Sequence, residues 1–315
     1  MKHTCHWNGP SSHQFGRLVL GIILCLSAFH PATAQKKHVR LPESLPEVSG
    51  LAIVSPDSLW WHNDSGAGPV LYCTDREGNL LKETPLTTVR NEDWEDLARD
   101  AQGRIYVGDF GNNRNLRKNL QIYIFDPLTG RADSILFHYP DQNAFPPPPS
   151  ACNFDMEGFF YFQDSLHLFS KNRLEAGNYY TKHYVLPSKP GIYTAQLRDS
   201  MFLPKRVVTG AAVSPDGKTV ALLSYFFKLS FGFIPKSRTT IFFLSRFPGT
   251  DFTKGHIRKK RIPHGFRPSQ FEAIDFTPDG NLIIASEKTP VYPNKFKYVR
   301  SRFKVQGSRF KVQRP

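Results

Sequence analysis

The sequence predicts an all-β fold: a β-propeller of five four-stranded blades (six if one unit is degenerate), its ring closed by a strand from the N-terminal end. Three observations lead there. Strand-forming residues come in short runs broken by Pro, Gly, Asn and Asp, and no long segment keeps a 3.6-residue apolar period. A unit of about fifty residues recurs along the chain, the spacing of propeller blades. The turns inside that unit are alike: Pro215-Asp216-Gly217 matches Pro278-Asp279-Gly280, and Pro56-Asp57 shares their first half. In these turns proline presets φ and glycine supplies the positive φ that follows, so they are structural. A β-sandwich would not repeat one turn at this interval. With 315 residues, 40% hydrophobic and 13% aromatic, the chain can bury a large core and is not a disordered protein.

At the N-terminus, Lys2 and Arg17 precede an apolar run from Leu18 to Phe29, followed by Ala32-Thr33-Ala34. A basic start, a short apolar stretch and small residues at an A-x-A site describe a secretory signal peptide cut after Ala34. The run falls short of the roughly 20 residues a bilayer-spanning helix needs. Cys25 lies inside it and not at its end, which argues against a lipoprotein. Residues 1–34 are thus expected to be a leader, 35–297 the propeller and 298–315 a basic tail, in a secreted or periplasmic protein. Cys73 and Cys152 remain after cleavage. An oxidising compartment permits a disulfide between them, and two separate thiols are the alternative.

The repeats follow in order. Each opens with a strand, a turn and a second strand: Ser49–Asp64, Glu95–Asp109, Glu157–Lys171, Thr209–Ser224 and Glu272–Ser286, with starts 46, 62, 52 and 63 residues apart. Two further strands follow each of the first four. They are Val70–Thr74 with Leu80–Thr88, Gln121–Phe125 with Ser134–Tyr139, Tyr179–Leu186 with Tyr193–Phe202, and Thr240–Leu244 with His256–Ile262. The fifth repeat has only Phe296–Val299 as a third strand. His38–Leu41, otherwise without a partner, is expected to complete it, because an open ring would expose two pairable edges. Phe145 followed by four prolines to Pro149 reads as a stiff linker. In the tail Ser301–Gln306 recurs as Ser308–Gln313, a low-complexity repeat.

The net charge of +14 suggests nucleic acid only until it is located. Lys2 and Arg17 belong to the leader, and eight basic residues without an acid lie between Lys295 and the C-terminus, leaving +4 for the body. An ordinary surface accounts for that, and no nucleic-acid partner is implied. The expected state is a monomer with no membrane span after cleavage.

In a blade, the start of the inner strand and the end of the next strand emerge on one face, so two columns of residues should ring one channel mouth. Ser49, Glu95, Glu157, Thr209 and Glu272 form the first, and Asp64, Asp109, Lys171, Ser224 and Ser286 the second, with Glu287, Asp93 and Asp155 close by. Glutamates converging on an axis repel unless something compensates. A hard cation with oxygen ligands, Ca2+ foremost, is one solution, which makes Glu95, Glu157 and Glu272 candidate metal ligands. In the alternative each glutamate accepts backbone N–H groups of the next blade and locks the ring, with Lys171 neutralising part of the charge. The run from Asp109 to Arg117 is the densest polar patch. Asn112, Asn113 and Arg117 could grip a carboxylate or phosphate there, or satisfy their own backbone. His62 and Asp64 stand in the matching loop of the first repeat. No G-x-S-x-G, H-E-x-x-H, C-x-x-C or P-loop motif occurs.

Glu47–Leu51, His62–Gly66, Asp93–Ala98, Gly108–Asn113, Ser170–Arg173 and Thr209–Gly217 together resemble a group of secreted β-propeller proteins of Bacteroidetes-type bacteria, over roughly Leu41 to Lys288. More distantly, the blade-initial glutamate resembles that of calcium-dependent lactonase and phytase-esterase-like propellers. That resemblance implies Ca2+ held by Glu95, Glu157 and Glu272; Ser49 and Thr209 depart from the pattern. The expected function is binding of a small polar ligand or protein partner at the channel mouth through Ca2+. The alternative is metal-assisted hydrolysis of esters, lactones or phosphoesters.

Overall fold

The computed structural model describes residues 38–172, 177–230, 234–263, 270–290 and 292–301, without the side chains of 227–230 and 234–237. The expected signal peptide and nearly all of the repeated tail lie outside the described residues. The rest is all-β and forms five blades. Blade 1 runs from β2 (Val48–Ser55) through β3 (Ser58–Asn63) and β4 (Val70–Thr74) to β5 (Leu80–Pro85). Blade 2 holds β6 (Trp94–Arg99), β7 (Ile105–Asp109), β8 (Leu120–Phe125) and β9 (Ala132–His138). Blade 3 is built from β10 (Met156–Phe162), β11 (Ser165–Ser170), β12 (Tyr180–Pro187) and β14 (Gln196–Phe202), the short β13 (Gly191–Thr194) coming between the last two in sequence. Blade 4 contains β15 (Val207–Val213), β16 (Thr219–Ser230), β17 (Ile234–Ser245) and β18 (His256–Ile262). Blade 5 has β19 (Phe271–Phe276), β20 (Leu282–Ser286) and β21 (Lys295–Val299), and its outer strand is β1 (Val39–Arg40), pairing Val39 with Phe296 and Arg40 with Lys295. No helix among the described residues is long and apolar enough to cross a membrane.

The expected strand from Tyr193 to Phe202 is divided differently. Residues 191–194 leave blade 3 and pair in parallel with β9, giving blade 2 a fifth strand, and only Gln196 onward returns to β12. Blade 2's outer edge is thereby covered. The boundary expected at residue 297 falls within β21, which continues to Val299, and Ser301 beyond it is buried. Cys73 and Cys152 are separate thiols, the first buried in blade 1 and the second ahead of blade 3.

Inner strands are buried along nearly their whole length because both of their faces are covered. Alternate side chains point to opposite faces of a blade, and each face meets a different neighbour. Trp60 and Trp61 show the rule: Trp60 packs with Trp94 and Phe125 in the seam to blade 2, and Trp61 with Phe296 and Ala273 in the seam to blade 5. The described core accordingly divides into five clusters, one per seam. The innermost strands β2, β6, β10, β15 and β19 pack in a ring, β19 against β2. Val39 and Phe296 are both buried in the seam cluster between blades 5 and 1. A chain beginning at Pro42 therefore loses buried apolar surface and gains an open edge. It is expected to melt several degrees lower and to self-associate in size-exclusion chromatography.

Candidate functional site

All five inner strands break register at their first residues, opposite the second strand. In β6 the pairing steps from Trp94 to Asp96, in β10 from Met156 to Gly158, in β15 from Val208 to Gly210 and in β19 from Phe271 to Ala273. In β2 it steps from Val48 to Leu51. The residues left over are Glu95, Glu157, Thr209, Glu272 and the pair Ser49-Gly50. A β-bulge of this kind re-aims a side chain, and here it takes the first column of residues out of the ladder.

Ser49 and Thr209 use that position to tie blades together. Ser49 Oγ donates to the Glu95 carbonyl at 2.6 Å, and Thr209 Oγ1 to the Phe271 carbonyl at 3.0 Å. The three glutamates do not. Glu157 Oε1 accepts from Lys171 Nζ at 2.6 Å, Glu272 is hydrogen-bonded to the Glu287 carboxyl, and no hydrogen bond reaches the Glu95 carboxylate among the described residues. The expected locking of the ring by glutamates is carried by aspartates instead. Asp155 accepts from Asn112 N–H at 2.7 Å, and Asp275 from Ile53 N–H at 2.8 Å. Asp96, fully buried, accepts from Phe159 N–H at 3.1 Å and Ala211 N–H at 3.3 Å, joining blades 2, 3 and 4.

The structure gathers the carboxylates into an arc of three overlapping triads: Glu95–Asp155–Glu157, Asp64–Asp93–Glu95 and Asp64–Glu272–Glu287. Within each triad the nearest oxygens all lie within 4.8 Å of one another. Glu95 and Asp64 are each shared by two triads, so blades 3, 2, 1 and 5 form a continuous acidic arc. Blade 4 supplies Thr209, Ser224 and Tyr225 in place of acids, and Lys171, bonded to Glu157 at one end of the arc, also feels the charge of Tyr225 and Glu272. Gly111 backs onto the arc: a Cβ there would collide with Glu95 Oε1 and with the Asp93 carboxylate.

So many buried carboxylates cannot all ionise. Burial first, then the Glu157, Asp64 and Asp155 carboxylates, hold the Glu95 carboxyl well above its ordinary range. Burial likewise raises Glu157, opposed by Lys171 and reinforced by Asp155. Glu287 is pushed up to about 10 by burial and by Glu272, and Asp64 to about 6, mainly by burial. Burial works against the Lys171 ammonium, yet Glu157 and Asp155 keep it charged well above the usual lysine range. At neutral pH the arc therefore holds protons. The donor set suits a hard cation: all oxygen, mostly carboxylate, with two residues positioned to bridge adjacent triads.

The remaining expected site residues lie elsewhere or are already engaged. His62 is buried behind the arc, its Nδ1 2.8 Å from the Asn63 carbonyl and its ring edge-on to Trp94. Burial lowers it to about 4, so it is neutral. Asp109 is buried, accepting from Asp93 N–H at 3.0 Å and from Arg117 Nη2 at 2.9 Å. Arg117 also donates to the Gly111 carbonyl, and Asn112 accepts from Arg117 N–H. These contacts make the loop largely self-satisfied; Asn113 is exposed. Of the second column, Asp64 and Lys171 reach the arc. Sequence reasoning missed Asp96, Asp275 and Tyr225, whose roles depend on distant blades.

No family model and no curated protein sequence matches this chain. Among solved structures it is similar to an α-L-arabinanase of Penicillium chrysogenum complexed with arabinobiose, at 10% identity and a TM-score of 0.49 over 86% of this chain and 100% of that one. It is similar to an endo-arabinase of Bacteroides thetaiotaomicron at 12% identity and a TM-score of 0.48, covering 84% of this chain and 98% of that one. The Dos1 propeller matches at 12% identity and a TM-score of 0.39 over 86% of this chain. This chain spans 63% of that one's length.

Proposed function

We propose that this propeller holds Ca2+ in the acidic arc at its channel mouth and presents the ion to a small polar ligand or protein partner. The observation that carries the reading is the overlap of three carboxylate triads around Glu95 and Asp64. Gly111 supports it, since the close approach of Glu95 and Asp93 needs a residue without a Cβ. Glu95, Asp93, Asp155 and Asp64 would supply ligands, while Glu157 stays paired with Lys171. Extracellular Ca2+ modules work with dissociation constants of about 0.1–1 mM, which suits a protein exported by a leader cut after Ala34. N-terminal sequencing of the secreted protein tests that cleavage.

The titration behaviour gives a distinct signature. A carboxyl raised in the folded state binds more protons than its unfolded counterpart, so its stabilising effect is complete at low pH and is lost as pH rises through the folded value. Without Ca2+ these groups make stability fall between about pH 4 and 10, the window set by Asp64 at about 6 and Glu287 at about 10. Ca2+ must displace those protons, so its binding releases protons and tightens as pH rises. Calorimetry in buffers of different ionisation enthalpy reads the release directly. At about 100-fold over its dissociation constant Ca2+ adds roughly 2.7 kcal/mol, or about 5–10 °C in Tm. Glu95→Gln with Glu157→Gln should abolish the shift. An equal shift in that double variant, or none in the wild type, would refute the reading.

Metal-assisted hydrolysis is the second reading. One observation favours it: Asp64, titrating near 6, stands beside Glu287, protonated up to about 10, a base and an acid adjoining one cation site. Turnover of ester, lactone or phosphoester substrates that requires Ca2+ and is lost in Asp64→Asn would establish it.

A further inference from the structure

The inner strands that begin at the acidic arc end at a second cavity. Their length, six to eight residues of strand, puts the two about 20 Å apart along the channel. This cavity, of about 370 Å³, is lined from four blades, by Arg99 of blade 2, Tyr161 and Phe162 of blade 3, Ser214 of blade 4 and Asp275 of blade 5 among others. A neighbouring cavity of about 600 Å³ shares Phe162 and Gly217 with it and carries Lys218 and Arg246.

Arg99 is the unusual member. The residue is half-buried, its Nε is enclosed with no hydrogen-bond partner, and Asp275 feels its charge with no hydrogen bond between the two among the described residues. Guanidinium groups in protein interiors are normally paired, because an unmet charged donor carries its full desolvation cost. The acids around Arg99 are occupied by other groups. Asp275 accepts from Ile53 N–H at 2.8 Å and Phe276 N–H at 2.7 Å. Asp100 accepts from Arg104 Nε at 2.6 Å, from Gln102 N–H and from the Tyr106 hydroxyl. Asp275 offsets the guanidinium charge at a distance, but no wall residue bonds the Nε, and a cavity of ligand size opens beside it.

From this we infer that the end of the channel opposite the acidic arc binds a small organic carboxylate, held by the Arg99 fork with its apolar body against Tyr161 and Phe162. A guanidinium pairs bidentately with a carboxylate. Asp275 and Asp100 in the same wall disfavour a dianion such as phosphate, and the phenol and phenyl rings favour a ligand with an apolar part. This site shares no residue with the acidic arc and does not depend on Ca2+.

Benzoate, acetate, phosphate and neutral benzamide are the probes, titrated into the propeller from Gln35 onward by calorimetry and by 15N NMR of arginine side chains. Benzoate is expected to bind with and without chelator, more tightly than acetate or phosphate, and to shift the Arg99 Nε–Hε resonance, with benzamide inert. Arg99→Gln should weaken benzoate by about 10- to 100-fold and Arg99→Lys by less. The NMR shift is read in the wild type, so the test survives a poorly folded variant. An Arg99 resonance unmoved by every anion, or equal benzoate affinity in folded Arg99→Gln, would overturn the site. Tighter phosphate than benzoate binding would overturn the carboxylate assignment.

Discussion

Asp96→Ala is expected to destabilise the propeller by about 3–5 kcal/mol and lower its melting temperature by about 10 °C or more. The carboxylate occupies the axis with no exposed surface and accepts three backbone N–H groups, from Leu97, Phe159 and Ala211. Alanine would strand the Phe159 and Ala211 donors, on two different blades, in a site too enclosed for bulk water to replace the acceptor. Burial of an unmet donor costs about 1–3 kcal/mol each, and the truncated side chain adds a small cavity at the point where three inner strands meet. Asp96→Asn keeps one acceptor oxygen and should lose less than half as much. Thermal melts of both variants in chelator check this without reference to any cation. A melting point within about 2 °C of wild type for Asp96→Ala would mean the axis is held by the seams alone.

The second large effect separates two glycines, Gly158 in inner strand β10 and Gly111 in the loop after β7. At Gly158 an added Cβ would stand 2.7 Å from the Gly210 carbonyl carbon and 2.8 Å from Ala211 N, both backbone of the next inner strand. Backbone cannot step aside there without opening the ring, so Gly158→Ala should cost about 3 kcal/mol or more. At Gly111 the atoms nearest the Cβ are the carboxyl ends of Glu95 and Asp93. Those side chains can swing, so Gly111→Ala should fold with a melting point in chelator close to wild type. The same swing spreads the oxygens of the shared triads, and Ca2+ affinity is expected to fall about 10- to 100-fold, the range found when the support of a metal ligand is disturbed. Calorimetric titration of Gly111→Ala beside thermal melts of Gly158→Ala reads both. If Gly111→Ala binds Ca2+ as wild type does, the arc is not the cation site.

Much of this architecture was legible along the chain. The blade repeat, the five residues that open the inner strands and the closure of blade 5 by residues near Val39 follow from local signals: two-residue periodicity, turn chemistry and spacing. The outer strand of blade 3 was less legible. The split at Ala195 sends Gly191–Thr194 to blade 2, and β-pairing partners at an edge are chosen by space left open elsewhere. The polar loop from Asp109 to Arg117 read equally well as a binding loop or as a self-bonded one. Only the position of Arg117 over the Asp109 carboxylate and the Gly111 carbonyl distinguishes them.

Sequence alone gives an all-β ring of five or six blades, with Glu95, Glu157 and Glu272 opening theirs at one end of a channel; the structure makes the number five. The tertiary structure decided what those residues do. It made Ser49 and Thr209 into ties between blades and gathered the acids into an arc with Lys171 at one end. It placed Asp96 across the axis and left the Arg99 Nε without a hydrogen-bond partner at the far end. The physical reason is range. Strand alternation and turns are settled by neighbours in sequence, whereas a buried charge is settled by whatever lies within a few ångströms, and for Asp96 that includes Ala211, 115 residues away.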